Sequence, residues 1–255
     1  MPGIEISLPT ISFSGTGAKW RFVSFGVSLL LGAGLYLAGT SPAFRAAPPQ
    51  VIGNQRIPAE ELGPVLGVGN AQIFTLVPSD LERRLRLNFP ELLAARVTLA
   101  LPNAIHIEIE ERTPAVAWYQ DGGYTWIDEN GIAFRPRGAA EDVVAVQALN
   151  APQPASATSS DPLTPLPYVS PDLIAAVREL APHAPAGSSI IYDARYGLGW
   201  ADSRGWQAFF GEQARDMPLR LRVYESMVEM VGEKGVRPAF ISVQYPSAPY
   251  YRMSQ

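Results

Sequence analysis

The sequence predicts an α+β protein carried on a single membrane-spanning helix, and three features predict it. An uncharged stretch runs from Phe22 to Phe44. Between residues 51 and 110 the order of patterns is strand, helix, helix, strand, strand. The second half alternates short aromatic or aliphatic strand patterns with two amphipathic helix patterns. The 255 residues are 47% hydrophobic with a net charge of -4, which excludes a wholly disordered chain and a strongly basic nucleic-acid binder. The chain has no cysteine, so disulfides, zinc ribbons and thiol nucleophiles are excluded as well.

About 20 residues of the uncharged stretch, at ~1.5 Å each, span a hydrocarbon core of roughly 30 Å. Lys19 and Arg21 precede it and Trp20 suits the interface, so the positive-inside bias predicts a cytoplasmic amino terminus, with Arg45 on the far side counting against. The competing reading is a cleaved signal peptide ending near Ala46-Ala47, whose apolar region would be only about 7 to 15 residues long. The expected divisions are a cytoplasmic tail over 1–21, a membrane helix over 22–44, a first exported unit over 45–115 and a second over 116–255 with a loop over 150–171.

In the first unit Val51-Ile52 reads as a strand stopped by Gly53-Asn54. Pro58, Glu60 and Glu61 open a helix that Pro64 and Gly67 keep short. A second helix begins near Pro78-Ser79-Asp80, places Leu81 and Leu85 on one face and ends before Pro90. Val97, Leu99 and Leu101 alternate with polar or small residues, as do Ile105, Ile107 and Ile109, which gives two half-buried strands. Joining two odd-numbered apolar sets on one face needs an odd-length loop, read here as Pro102-Asn103-Ala104 with Leu101 opposite Ile105. Helices then cover one face of a small sheet.

In the second unit Asn150 to Pro171, rich in Pro, Ser, Thr and Ala, reads as an exposed loop. Ser170 caps a helix with Leu173, Val177 and Leu180 on one face, closed by Pro182 and Pro185. Ile190 to Tyr192, Leu198 to Ala201 and Trp206 to Phe210 form a meander with a turn at Asp202 to Gly205. A longer helix starts at Asp216, aligns Leu221, Tyr224, Val228 and Val231, and stops near Gly232 to Gly235. A last strand runs from Ala239 to Tyr245 and ends at Pro246, at or near an exposed sheet edge.

The string Val51-Ile52-Gly53-Asn54, Ile73-Phe74, Leu85, Phe89-Pro90, Val97, Leu101-Pro102-Asn103 and Glu110 to Trp118 resembles the FtsQ-type POTRA domain in both order and spacing. The usual continuation of that family, a strand, Asp-x-x-Gly and an apolar-Phe strand, matches Tyr124 to Ile127, Asp128-Glu129-Asn130-Gly131 and Ile132-Ala133-Phe134. Asp193-Ala194-Arg195, Gly205 and Phe210-Gly211 are similar to motifs of the FtsQ/DivIB β domain, so the resemblance covers nearly everything after residue 20. Gln244 stands where Arg is common in the last strand, Ser242 where Asp is common and Phe210 where Leu is usual, which touches specific ionic contacts rather than the fold. The resemblance implies a β-α-α-β-β POTRA domain followed by a mixed α/β "β domain" with an antiparallel sheet.

Catalytic chemistry lacks carriers. His106 and His183, the only histidines, fall in different units and so make no two-histidine metal face. Glu108 and Glu110, with Glu111 next door, read as the solvated face of a strand rather than as a hydrolase pair in a cleft. No GxSxG elbow, phosphate-binding loop or dinucleotide fingerprint is present, and no cofactor or metal is expected. In the membrane stretch Gly26, Ser28, Gly32 and Ala33 suit helix contacts without forming GxxxG.

Unpaired NH and CO groups at a sheet edge bind other strands. The resemblance implies that the carboxyl-terminal region captures the extracytoplasmic part of an FtsB/DivIC-like partner, with FtsL-like and other division proteins in the same complex. Gln244, Tyr245 and Ser247 fall on the expected contact positions; Ile241 and Val243 belong to the same strand, and Tyr250, Tyr251 and Arg252 continue the strip. The expected role is a non-enzymatic division scaffold in the inner membrane at the septum. A POTRA-bearing export or outer-membrane assembly factor, which needs repeats or a barrel, and an anchored wall hydrolase acting through Glu108 are the alternatives.

Overall fold

The computed structural model describes residues 16–153, 163 and 165–253; most of the expected tail, and residues 154–162 and 164 of the expected loop over 150–171, lie outside the described residues. An apolar helix, α1 (Thr16–Thr40), leads the chain. Among the described residues it is the one helix long and apolar enough to cross a membrane, over 21 residues from Trp20 to Thr40, and none of that span packs inside the protein. It ends before Phe44, four residues short of the expectation. Pro42 opens a separate 3-10 turn, Pro42–Phe44, which Ser41 caps by accepting a hydrogen bond from the Ala43 NH at 3.2 Å. The Phe44 ring then leaves the apolar run and packs on Phe74, with centroids 4.8 Å apart.

The first unit consists of β1 (Gln50–Ile52), α2 (Ala59–Leu66), α3 (Pro78–Asn88), β2 (Leu92–Ala100) and β3 (Ala104–Glu111), with sheet order β1-β3-β2. Gly67 ends α2 in the left-handed region at φ 63°, a conformation that costs glycine little. Leu62, Leu66, Leu81 and Leu85 from the helices meet Val97, Ile105, Ile107 and Ile109 from the sheet, so the alternation read in the sequence is the core face. The hairpin register differs from expectation by two residues. Leu99 lies opposite Ile105 and Ala100 opposite Ala104, and Leu101 stands in the turn, 70% exposed. The loop keeps three residues, so its odd length preserves the shared face while the turn slides back by one residue.

The second unit is a nine-stranded sheet in the order β12-β11-β10-β9-β8-β7-β4-β5-β6. Its strands are β4 (Val116–Gln120), β5 (Gly123–Ile127), β6 (Ala133–Phe134), β7 (Val144–Ala148), β8 (Ile190–Asp193), β9 (Gly197–Ala201), β10 (Gln207–Gly211), β11 (Pro238–Ser242) and β12 (Tyr250–Met253). The meander β8-β9-β10 is antiparallel as expected. The ladders β4-β7, β7-β8 and β10-β11 are parallel, the last two because α4 (Pro171–Leu180) and α5 (Met217–Glu233) carry the chain back across the sheet. Ser170 caps α4 by accepting from the Leu173 NH at 3.1 Å. Both helices cover one sheet face, where Leu173, Val177, Tyr224 and Val231 pack on Trp118, Leu198, Phe210 and Ile241.

Two polar clusters hold this arrangement. At the junction of the units, buried Arg112 donates through Nη1 to Asp128 Oδ2 at 2.6 Å and through Nε to the Pro90 carbonyl at 2.9 Å. Asp128 Oδ1 accepts from the NH groups of Asn130 and Ile132, and Gly131 leaves room for the Val169 carbonyl, which a Cβ would meet at 2.0 Å. Arg137, beyond β6, reaches back to Glu91 at 2.9 Å and Glu61 at 2.8 Å in the first unit. Glu111, expected in a solvated strip, is a clamp instead. Its carboxylate accepts from the backbone NH of Gln55, Arg56 and Ile57 and from the Arg56 side chain. Burial pushes its pKa up, but these donors outweigh it and hold the carboxyl below its ordinary value.

The second cluster ties the β9–β10 turn to α5. Arg204 grips Asp202 through two hydrogen bonds of 2.7 Å, and the Tyr224 hydroxyl donates to Asp202 at 2.6 Å while accepting from Trp206 Nε1 at 3.0 Å. The Arg204 pairing, opposed by burial and aided by Tyr224, holds the Asp202 carboxyl well below the usual range, and burial with the nearby carboxylate pushes Tyr224 up to about 12.

Two predictions follow from these clusters. Arg112→Ala strands a buried carboxylate and is expected to cost about 3 to 5 kcal/mol in urea unfolding, against under about 1 kcal/mol for Arg178→Ala in the exposed pair with Glu129. Because the folded pKa of Asp202 is depressed, its stabilisation is fully present above about pH 4 and is lost as pH falls below it. Asp202→Asn is expected to lower the midpoint of thermal unfolding at neutral pH and to flatten its acid dependence below about pH 4, both read by circular dichroism.

Candidate partner-binding edge

The sheet ends at β12, and among the described residues no strand pairs with its outer side. The strand expected at or near the edge is therefore one place inward. β11 has β10 on one side and β12 on the other, and Tyr250 to Arg252, expected as a continuation of its strip, form a strand of their own. Ile241 and Val243 are fully buried, and the Val243 NH donates to the Phe209 carbonyl at 2.9 Å.

The register decides which backbone groups β12 offers. Val243 bonds toward β10, so by strand alternation Ile241 does too, while Phe240 and Ser242 bond toward β12. Phe240 lies opposite Arg252 and Ser242 opposite Tyr250, so those two β12 residues spend their NH and CO groups inward. Tyr251 between them presents its NH and CO to the open side. Its ring packs toward the main core, whereas Tyr250, Arg252 and Met253 are exposed.

Side chains on the sheet face away from the helices form a row that the sequence reading missed. Tyr196 lies 5.1 Å from both Phe209 and Phe240, and Phe240 lies 5.9 Å from Tyr250, centroid to centroid. Arg195 sits over Tyr196 at 5.3 Å and Arg252 over Phe240 at 5.6 Å. The signal was present in Phe209-Phe210, since adjacent strand residues face opposite sides and only Phe210 joins the main core. Of the remaining expected residues, Tyr245 and Ser247 are exposed in the β11–β12 connection and Gln244 is half-buried beside Gly211.

The motifs that carried the resemblance have local causes. Asp193 Oδ1 accepts from the NH groups of Arg195 and Tyr196, which folds the β8–β9 turn and sets Arg195 beside the row. Gly197 and Gly211 pass so closely that a Cβ on Gly197, at φ 76°, would lie 2.4 Å from the Gly211 carbonyl carbon. His106 and His183 lie apart in the two units, and Glu108 and Glu110 are exposed on the outer face of β3.

A helix long and apolar enough to cross a membrane, a β-α-α-β-β domain and a larger mixed sheet with an open edge together fit the class of POTRA-bearing proteins with a single membrane pass. The family model described as "POTRA domain, FtsQ-type" matches residues 50–112, which span the first unit from β1 through β3, and that match supports the FtsQ-type likeness of this unit. No curated protein matches the chain. FtsQ-type POTRA proteins are a non-catalytic scaffold family whose association is with cell division.

Gly197→Ala is expected to destabilise the second unit by about 2 kcal/mol or more, because the contact is backbone on backbone at a positive φ. Ala at Gly187, which has a positive φ but open space around it, is expected to cost less, and chemical denaturation compares the two.

Proposed function

We propose that the chain is a non-enzymatic, bitopic cell-division scaffold that recruits FtsB/DivIC-like and FtsL-like partners at the septum, with its amino terminus cytoplasmic and its two larger units outside. Capture works in part by strand addition at the carboxyl-terminal edge, through the region of Ile241, Val243, Gln244, Tyr245, Ser247, Tyr250, Tyr251 and Arg252. On this reading Ile241 and Val243 support the edge from the core, and the residues after Gln244 meet the partner. The carrying observation is the outward NH and CO of Tyr251 on a strand with one open side, flanked by exposed Tyr250 and Arg252. Main-chain bonds supply attraction and the aromatic row with its two arginines supplies selectivity. Anchoring by one helix confines both proteins to a surface, which raises their effective concentration and lets a modest edge contact suffice.

The test separates the backbone from the side chain. Tyr251→Pro removes the outward NH without removing a β11–β12 hydrogen bond, and Tyr251→Ala keeps that NH. With full-length protein in nanodiscs and the extracytoplasmic segment of an FtsB/DivIC-like partner, Tyr251→Pro is expected to weaken binding at least about ten-fold relative to Tyr251→Ala. Equal affinities for the two variants, with unchanged near-ultraviolet circular dichroism, refute strand addition at this edge.

A further inference from the structure

The end of the first unit nearest α1 has a surface unlike the rest of the protein. Three segments meet there, 41–49, 68–79 and 100–105, and Arg45 is the one charged residue among them in a chain that is 17% charged. The Ala46 NH donates to the Ala71 carbonyl and the Ala47 NH to the Asn103 carbonyl, each at 2.9 Å, while Gln72 Nε2 donates to the Ser41 carbonyl at 3.5 Å. These bonds hold the residues after Thr40 against the domain, so α1 and the first unit are joined by a docked segment.

Topology puts the apolar side chains at that same end. β1 and β3 are parallel and both begin there, β2 finishes there, and α3 starts there because it leads to the far end of β2. Phe74 before α3, Val77 at its start and Leu101 in the β2–β3 turn are 52%, 50% and 70% exposed. Asp80, in the first turn of α3, is the acidic residue nearest to Val77 in the chain, and it lies just beyond these segments. Exposed apolar residues grouped with so few charges mark a contact surface.

We propose that this end rests in the headgroup zone of the leaflet from which α1 emerges, with Phe74, Val77 and Leu101 inserted and Arg45 at the level of the lipid phosphates. The occupant is argued from the helix. A span ending at Thr40 leaves Phe44 and Arg45 only a few residues from the bilayer surface, and the hydrogen bonds of Ala46, Ala47 and Gln72 forbid the domain from swinging away on a long tether. Apolar side chains reaching about 5 to 10 Å into the headgroup boundary, with a basic residue beside them, are what a bilayer surface accepts. The inference rests on α1 spanning the membrane, and the surface contact would fix the direction in which the rest of the protein projects.

The chain has no native cysteine, so single labels are clean. Full-length Leu30→Cys, Val77→Cys, Leu101→Cys and Ala175→Cys, each carrying an environment-sensitive fluorophore, are placed in phosphatidylcholine–phosphatidylglycerol vesicles containing nitroxide lipids. Phe74 is left in place because it supports Phe44, and circular dichroism verifies the fold of each variant. The expected result is quenching of Leu30 by acyl-chain nitroxide, quenching and a blue shift at Val77 and Leu101 with headgroup nitroxide, and neither at Ala175. If Leu30 is quenched but Val77 and Leu101 behave like Ala175, the surface contact is refuted and the membrane span stands. An unquenched Leu30 refutes the span and the contact with it.

Discussion

The guanidinium of Arg112 sits between the two units with almost no solvent, and the relation of one unit to the other depends on it. Removing such a group from water is costly, and the cost is met here by Asp128 on the second unit and the Pro90 carbonyl on the first. Asp128 is in turn held by two backbone NH groups of its own turn, so the ion pair joins two preformed pieces rather than two mobile side chains. Arg137 adds a second crossing to Glu61 and Glu91, and the Arg56 guanidinium, 5.7 Å over Trp126 and bonded to the Arg112 carbonyl, adds a third. All the donors are arginines. Their planar, multiply donating heads satisfy several acceptors at once, which one ammonium on a flexible stem does less well.

The same economy explains the two faces of the large sheet. One face is covered by α4 and α5 and is apolar almost throughout. The other has no helix over it near β10 to β12 among the described residues, and there the chain shields its strands with rings stacked edge to edge and with two arginines lying over them. An aromatic row covered by guanidinium groups stays compatible with water while keeping a large contact area at little conformational cost, and that combination suits a recognition face.

Much of the fold was legible because the relevant signals were local. The alternation of Val97 and Leu99 and of Ile105, Ile107 and Ile109 wrote the first core directly, and Ser170-Pro171-Asp172 marked the start of α4 with cap chemistry. What escaped was set by distant partners. β7 has only Val146 and Ala148 fully turned inward and exists because β4 and β8 flank it, so its own sequence carries a weak pattern. β12 follows Pro246, which reads as an ending, yet the chain folds back and pairs with β11. Glu111 looked solvated because it follows Glu108 and Glu110, whereas its parity is that of the buried Ile107 and Ile109, and three NH groups from the segment after β1 turn it into a clamp. The edge was legible as a region but not as a strand, because which strand lies outermost is a property of pairing order and not of any single segment.

The geometry also bears on why a division scaffold of the proposed kind has two ectodomain units. An edge strand is a hazard as well as a binding site, since any extended peptide can pair with it. β12 limits that hazard by being only four residues long, and β2, one of the two outer strands of the first sheet, has the Val97 NH occupied by the Glu82 carboxylate at 2.9 Å. The β2 edge is thus partly blocked by a side chain, and the β12 edge is left short but open. If the first unit lies on the bilayer, the polar junction at its far end sets where the second unit stands. The open edge is then carried at a defined height and direction from the membrane. A partner anchored in the same bilayer would meet that edge repeatedly in a restricted orientation, so selectivity would come from placement as well as from contact chemistry.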